Sequence, residues 1–208
     1  CSSSKWIANH KDEDTIDPWV CIDAMIYASD NKSSNTLETW PVTYRNSNDD
    51  FNKFLHNTLD WEENSCGEVD RDTTNGWLTV TDAAKTLTYL YNYFESDSLN
   101  GQRLKDSYTQ AVHNYLWFPE NVEVAKKYGS WTDAFHDIAI VYADHPYLIA
   151  CMTDAGEVAH FRPDAVNYMQ ELGRLAYDFT QNDRNTVDYT CYSLIKRCKG
   201  IYNYIWSI

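Results

Sequence analysis

The sequence predicts an α+β fold in which helices pack on an antiparallel sheet. Segments with helical periodicity come first, three strand-like runs follow, and one amphipathic helix comes after the strands. Two of the strand-like runs are separated only by the short polar turn at residues 143–146, which is typical of a β-hairpin. This order of elements favours a helical layer on a hairpin sheet.

The first helix is expected to begin at Asp17, a favoured N-cap, with Pro18 in the first helical position. Its apolar stripe consists of Trp19, Ile22, Met25 and Ile26. We expect it to end at residues 29–31, where Asn31 can adopt a left-handed turn conformation. A second, short helix is indicated by Phe51, Phe54, Leu55 and Leu59. Residues 60–76 show no periodicity and are predicted to form a long loop.

Two more helices are predicted before the strands. The earlier one has Thr81 as its expected N-cap. Its apolar positions are Ala84, Leu87, Leu90, Tyr91 and Phe94. The later one is predicted from the helical spacing of Leu104, Tyr108, Ala111, Val112 and Tyr115.

The strand-like runs are residues 122–128, 135–142 and 147–153. The third run is almost continuously apolar, so we expect it to be paired on both edges, by the tail, a partner chain or an N-terminal segment. The closing helix is predicted over residues 163–179, with the buried positions Val166, Met169, Leu172, Leu175, Ala176 and Phe179.

With 208 residues, one domain is the default, and we assign it to residues 1–180. Residues 181–208 differ in character and are predicted to be a C-terminal helical extension. The apolar positions behind this prediction are Cys191, Leu194, Ile195, Cys198, Tyr202 and Ile205.

Composition excludes several classes of function. The net charge of −14 argues against nucleic acid or an anionic membrane surface as partner. No apolar run approaches the length of a membrane span. The cysteines lack CxxC spacing and the histidines lack ligand spacing, so neither a metal nor another cofactor is expected. Cys1 is followed by three serines and could carry the lipid anchor of a processed bacterial lipoprotein; an arbitrary chain end is the alternative.

Two short motifs carry chemistry. Ser-Asp-Asn occupies residues 29–31 after an amphipathic helix, and Lys-Tyr-Gly occupies residues 127–129 in a strand that opens a hairpin. In this order, and at this separation, they resemble two of the three active-site elements of class A β-lactamases and their penicillin-binding relatives. The resemblance extends over residues 17–179 and implies the corresponding α+β fold.

The resemblance implies a serine hydrolase that transfers acyl groups from β-lactams or D-Ala-D-Ala-like peptides of peptidoglycan. It also implies an extracytoplasmic location, either secreted, periplasmic or at the cell surface. Ser29 would pass a proton to the leaving nitrogen, Asn31 would hold the substrate amide, and Lys127 would attract the substrate carboxylate. Gly129 would let a substrate backbone lie alongside the strand.

Tyr128 departs from the family pattern, which has a small hydroxyl residue at this position. Ser130 can substitute for that hydroxyl. Strand alternation places Tyr128 and Ser130 on one face and Lys127 and Gly129 on the other.

The third element, a nucleophilic serine in Ser-x-x-Lys, has no clear counterpart. Ser2 with Lys5 has the right order, although few residues separate it from Ser29, and we expect Ser2 to lie away from Ser29. Ser193 with Lys196 would require a circular permutation. Two alternatives therefore stay open: Ser2 is the nucleophile, or the nucleophile segment is missing, as in a fragment or a degenerate homologue.

Glu62 in the long loop resembles the carboxylate that activates the hydrolytic water in β-lactamases, and a solvated acidic loop is the alternative. His136 and Asp137 at the start of a strand are predicted to be structural. A catalytically inactive homologue that binds a cell-wall peptide or a protein partner is the competing function.

Overall fold

The computed structural model of the protein describes residues 17–37, 49–65, 78–131, 134–153, 162–182 and 201–207, and it has an α+β fold. The helices are α1 (Pro18–Ala28), α2 (31–37), α3 (Asp49–Asn57), α4 (Val80–Phe94), α5 (Leu99–Thr109) and α6 (Pro163–Gln181). The strands are β1 (Glu123–Trp131), β2 (Ala134–Tyr142), β3 (Tyr147–Thr153) and β4 (Ile201–Ser207). Within these ranges, no helix combines the length and apolar character needed to cross a membrane.

The four strands form one sheet in the order β1-β2-β3-β4, and each neighbouring pair is antiparallel. All seven residues of β3 are buried, and the strand is paired on both edges. The expectation that the tail, a partner or another segment would cover β3 is therefore confirmed, and the cover is the tail strand β4.

The prediction of a helical tail is wrong for residues 201–207, which form β4. The physical reason is that the outer edge of the buried strand β3 needs backbone hydrogen bonds, and only an extended segment supplies them. The predicted helix positions from Cys191 to Cys198 lie outside the described residues, and the boundary between residues 180 and 181 stays a prediction.

The sheet lies between two helical layers. The core on its α4 side contains Ala83, Leu87, Phe94, Ala125, Ile140, Leu148, Ala150 and Met152. The core on its α6 side contains Leu116, Val124, Phe135, Ala139, Val141, Tyr147, Ile149, Cys151, Met169, Leu172 and Ala176. Successive residues along a strand therefore face alternately the α4 side and the α6 side of the sheet.

Two helix ends differ from the sequence prediction. The left-handed residue after α1 is Ser29, with φ 54° and ψ 45°, whereas Asn31 is already helical as the first residue of α2. The N-cap of α4 is Thr79 rather than Thr81. Thr79 forms a capping box with Asp82, in which each side chain accepts a hydrogen bond from the other residue's backbone N–H.

The helix predicted to continue to Tyr115 ends at Thr109. Residues 110–118, here called the connecting segment, lead from α5 towards β1 without regular secondary structure. The segment passes close to α6, because a Cβ added at Gly173 would come within 2.5 Å of the backbone of Trp117. Its buried residues Ala111 and Leu116 are therefore covered by tertiary contacts and not along a helical stripe.

Candidate functional site

Ser29 and Lys127, far apart in the sequence, are in direct contact in the structure. The Lys127 Nζ donates a hydrogen bond to the Ser29 Oγ at 2.7 Å. Ser29 follows α1, and Lys127 lies within the edge strand β1. The predicted convergence of these two side chains between the helical layer and the sheet edge is confirmed.

The backbone of Ser29 is in the left-handed region, which is unfavourable for a residue with a Cβ. Its N–H closes helix α1 by donating to the carbonyl oxygen of Ala24. The turn therefore fixes where the Ser29 hydroxyl points. Strained backbone of this kind is concentrated at functional sites in proteins.

Lys127 is half-buried, and its ammonium is partly shielded from water. Burial lowers the pKa of Lys127 to about 8, although the negative charge of Asp137 opposes that shift. The ammonium also donates to the backbone oxygen of Tyr128 at 2.6 Å and lies 4.9 Å from the centre of the Tyr128 ring. No ion pair between described residues includes Lys127.

Three other predicted binding residues belong to the same turn or strand. Asn31 is exposed and follows Ser29 by two positions. Gly129 faces open space, because a Cβ built there would meet no atom within 4 Å. Ser130 is half-buried in β1. These positions leave room beside Lys127 for a ligand.

Tyr128 belongs to an aromatic cluster that the motif comparison did not predict. Its ring makes edge contacts with His113 and Tyr115, at 5.1 Å and 5.7 Å between ring centres. Tyr115 in turn packs on Phe135 at 4.6 Å. Tyr128 therefore faces the α6 side of the sheet, as strand alternation predicted, while Lys127 reaches Ser29. The signal in the sequence was the run of ring-bearing residues in the connecting segment.

The described hydrogen bonds of Asp137 and His136 connect β2 to backbone groups of the connecting segment and of β3. The Asp137 Oδ2 accepts hydrogen bonds from the backbone N–H groups of Tyr115 at 2.6 Å and Leu116 at 2.9 Å. Burial raises the pKa of Asp137 to about 7, against the opposing effect of these donors and of the two neighbouring lysines. The His136 Nδ1 accepts from the backbone N–H of Thr153 at 3.1 Å.

Glu62 is located at the N-terminus of α4. Its carboxylate accepts a hydrogen bond from the Thr79 hydroxyl at 3.2 Å, and its backbone N–H donates to Asp82. The described contacts of Glu62 thus connect it to α4 and not to Ser29 or Lys127. The candidate nucleophile Ser2, its partner Lys5 and the Ser193–Lys196 pair lie outside the described residues.

A hydroxyl in contact with a partly dehydrated ammonium can relay a proton. The Ser29 oxygen accepts a hydrogen bond from Lys127, so its own hydrogen is free to point towards a ligand atom. Because the pKa of Lys127 is close to neutral, the lysine can both donate and recover a proton at ordinary pH. The same positive charge attracts an anionic ligand.

Comparison with models of protein families identifies the family of this chain. The model of the β-lactamase enzyme family matches residues 2–180, which is most of the chain. No curated protein matches the sequence. The family match covers both motifs, helices α1–α5, strands β1–β3 and α6 up to residue 180, but not β4. The chain therefore belongs to the β-lactamase enzyme family, whose members are serine hydrolase-like proteins with small-molecule substrates.

Proposed function

We propose that the protein carries out acyl transfer on β-lactams or on D-Ala-D-Ala-like peptides at the site that Ser29 and Lys127 form. The observation that carries this proposal is the hydrogen bond of 2.7 Å between the Lys127 Nζ and the Ser29 Oγ. Because peptidoglycan peptides occur outside the cytoplasmic membrane, the proposal includes an extracytoplasmic location.

Substrate binding would begin with the carboxylate common to both substrate classes. Lys127 offers a dehydrated ammonium, and a charge-assisted contact of this kind is stronger than one between neutral groups. Asn31 would hold the amide side chain of the substrate. The open space at Gly129 supports a substrate backbone that lies along the edge of β1.

The chemical step would use Ser29 as a proton relay. A nucleophilic serine oxygen attacks the carbonyl carbon, and the bond from that carbon to nitrogen breaks. Ser29 donates its proton to the departing nitrogen and recovers one from the Lys127 ammonium. Ser2 is the candidate nucleophile within this sequence, with Lys5 as the base that removes its proton.

Slow hydrolysis of the acyl-enzyme is part of the proposal. The carboxylate of Glu62 is exposed and bonded to Thr79, and this role in the N-terminus of α4 competes with activation of a water molecule. A persistent adduct would make the protein more similar to a penicillin-binding protein than to an efficient β-lactamase.

The test is incubation with a fluorescent penicillin, followed by gel fluorescence, intact mass and mapping of the modified peptide. We expect a covalent adduct that decays slowly. Lys127→Ala should weaken binding of the penicillin by about 1–3 kcal/mol, because the charge-assisted contact is lost. Heat-denatured protein serves as the control for nonspecific acylation.

Ser2→Ala distinguishes the nucleophile, because it abolishes labelling only when Ser2 forms the adduct. Reversible binding that depends on Lys127 but yields no adduct in the unmodified chain would favour the inactive homologue instead. Absence of both an adduct and reversible binding would contradict the proposed function.

A further inference from the structure

The connecting segment contacts both parts of the chain that form the candidate site. On the helical side, the backbone N–H of Val112 donates to the carbonyl oxygen of Tyr27 at 3.1 Å, two residues before Ser29. On the sheet side, the N–H groups of Tyr115 and Leu116 donate to Asp137. Five consecutive residues thus join the turn that holds Ser29 to the sheet that holds Lys127.

The sheet end of this connection rests on a single carboxylate oxygen. Asp137 lies in β2 opposite Tyr128, the residue next to Lys127, and its side chain is completely buried. Its Oδ2 accepts both backbone hydrogen bonds, whereas its Oδ1 has no hydrogen-bond partner in the described structure. A buried carboxylate with an unsatisfied oxygen is unfavourable for folding alone, so a role in the site explains its presence better than core packing does.

We propose that Asp137 is a positioning residue that sets the contact between Ser29 and Lys127. It does so by holding residues 112–116 against the sheet, while the same residues hold the end of α1. Asp137 touches neither Ser29 nor a ligand in this role. Any effect of Asp137 on catalysis rests on the proposed function. The claim that Asp137 positions Ser29 relative to Lys127 does not.

Asp137 also acts on Lys127 through its charge. The carboxylate favours the protonated form of Lys127, while burial disfavours that form. The other groups that interact electrostatically with Asp137 are Lys126, Tyr115 and Cys151. Of these, only Lys126 is a cation, so Asp137 is placed among two lysines and two groups that are neutral near pH 7.

Two substitutions distinguish the hydrogen bonds that Asp137 accepts from the connecting segment from the effect of its negative charge. Asp137→Asn retains an oxygen that can accept from Tyr115 and Leu116 but removes the charge, whereas Asp137→Ala removes both. The readouts are amide hydrogen exchange at Val112 and the pKa of Lys127, measured by NMR of ¹³C-labelled lysine. Asp82→Asn is the matched control, because Asp82 is also fully buried and accepts backbone hydrogen bonds, but at α4.

We expect Asp137→Asn to lower the pKa of Lys127 and to leave exchange at Val112 nearly unchanged. Asp137→Ala should increase exchange at Val112 by about tenfold or more, since the segment loses its anchor on the sheet. Asp82→Asn should change neither readout. Neither measurement needs a substrate, so a failed acylation test leaves this result intact.

Three results would overturn the proposal. One is an unchanged pKa of Lys127 in Asp137→Asn. Another is unchanged exchange at Val112 in folded Asp137→Ala. The third is an equal shift of the Lys127 pKa in Asp82→Asn, which would point to general loosening of the fold. If Asp137→Ala does not fold, exchange at Val112 is measured in Asp137→Leu, which fills the space of the side chain but accepts no hydrogen bond from Tyr115 or Leu116.

Discussion

Asp82 and Asp137 are both completely buried carboxylates, yet their surroundings shift their pKa values in opposite directions. For Asp82, burial raises the pKa, but hydrogen bonds from Ser65, Thr79 and Glu62 outweigh burial and lower it overall. For Asp137, burial dominates and raises the pKa to about 7. The two acids differ both in the number of donors and in how strongly their surroundings exclude water, and together these decide the state of a buried acid.

The two carboxylates also differ in the hydrogen bonds that their oxygens accept. One oxygen of Asp82 accepts from the Glu62 N–H at 2.8 Å, and the other accepts from the Thr79 N–H at 2.8 Å and the Ser65 hydroxyl at 2.5 Å. Asp137 uses only one oxygen. Asp82 therefore serves the stability of the loop and helix around it, whereas Asp137 retains an unsatisfied group beside the candidate site, as is common at functional positions.

The largest effect is expected from Asp82→Ala, which would leave the backbone and hydroxyl donors around it without their acceptor. At about 1–3 kcal/mol for each buried unsatisfied donor, the free energy of unfolding should fall by about 4–6 kcal/mol. Urea denaturation measures it, with Asp144→Ala on the exposed hairpin turn as control. A loss below about 1 kcal/mol would show that the Asp82 network contributes little.

The pH dependence of stability should separate the two acids. The pKa of Asp137 is higher in the folded than in the unfolded chain, so the folded state holds the extra proton between about pH 4 and pH 7. The contribution of Asp137 to stability is therefore lost as the pH rises through this range. At about 1.4 kcal/mol per pKa unit, the loss is on the order of 4 kcal/mol.

Asp137→Asn should remove this fall, and the difference between its unfolding curve and that of the unmodified protein measures the effect. Asp82 has the opposite sign, because its lowered pKa means that its contribution is lost as the pH falls below about 4. If Asp137→Asn and Asp82→Asn alter the pH profile over the same range and with the same sign, the contrast between the two regions is wrong.

Gly173→Ala tests the contact that supports the Asp137 side. The new Cβ would lie 2.5 Å from backbone atoms of Trp117 in the connecting segment, so either the segment or α6 must move. Overpacking of this kind costs about 2 kcal/mol in the free energy of unfolding. Gly129→Ala is the matched control, because its Cβ would meet no atom within 4 Å. Equal losses for both variants would remove the steric explanation.

The strands, the hairpin and α6 were predictable because their apolar periodicity is local and unambiguous. The end of α5 was not predictable in this way. Ala111, Val112 and Tyr115 continue the helical spacing, but the segment follows contacts with α1 and the sheet instead, and Val112 stays exposed. For β4, the apolar spacing suggested a helix, while the unpaired edge of β3 determined the outcome. Periodicity shows which residues are apolar, but it does not show which part of the protein they pack against.

The residues of the candidate site that belong to a sequence motif were predictable. Ser29 and Lys127 belong to such motifs, and their contact follows from the family fold. The anchoring role of Asp137 has no motif, because its donors are backbone N–H groups of any residue type in a segment distant in the sequence. The left-handed conformation of Ser29, instead of Asn31, likewise depends on where α1 ends.

The smallest effect on stability is expected from substitutions of Ser29, the left-handed residue of the turn after α1. Glycine adopts the left-handed conformation of Ser29 without penalty, whereas alanine does not. Ser29→Gly should therefore be more stable than Ser29→Ala by about 1 kcal/mol, and both lose the hydrogen bond from Lys127. Thermal denaturation of the pair measures the difference. Equal stability would mean that the turn relaxes when the hydroxyl is removed.

The most direct test of the account is the titration of Lys127 itself. In protein with ¹³C-labelled lysine, we expect one lysine to titrate near pH 8, and its signal should disappear in Lys127→Met. Adding a penicillin should raise that pKa, because the ligand carboxylate stabilises the ammonium. If every lysine instead titrates near its ordinary value and no signal responds to the penicillin, Lys127 is not the dehydrated carboxylate-binding group of an acyl-transfer site.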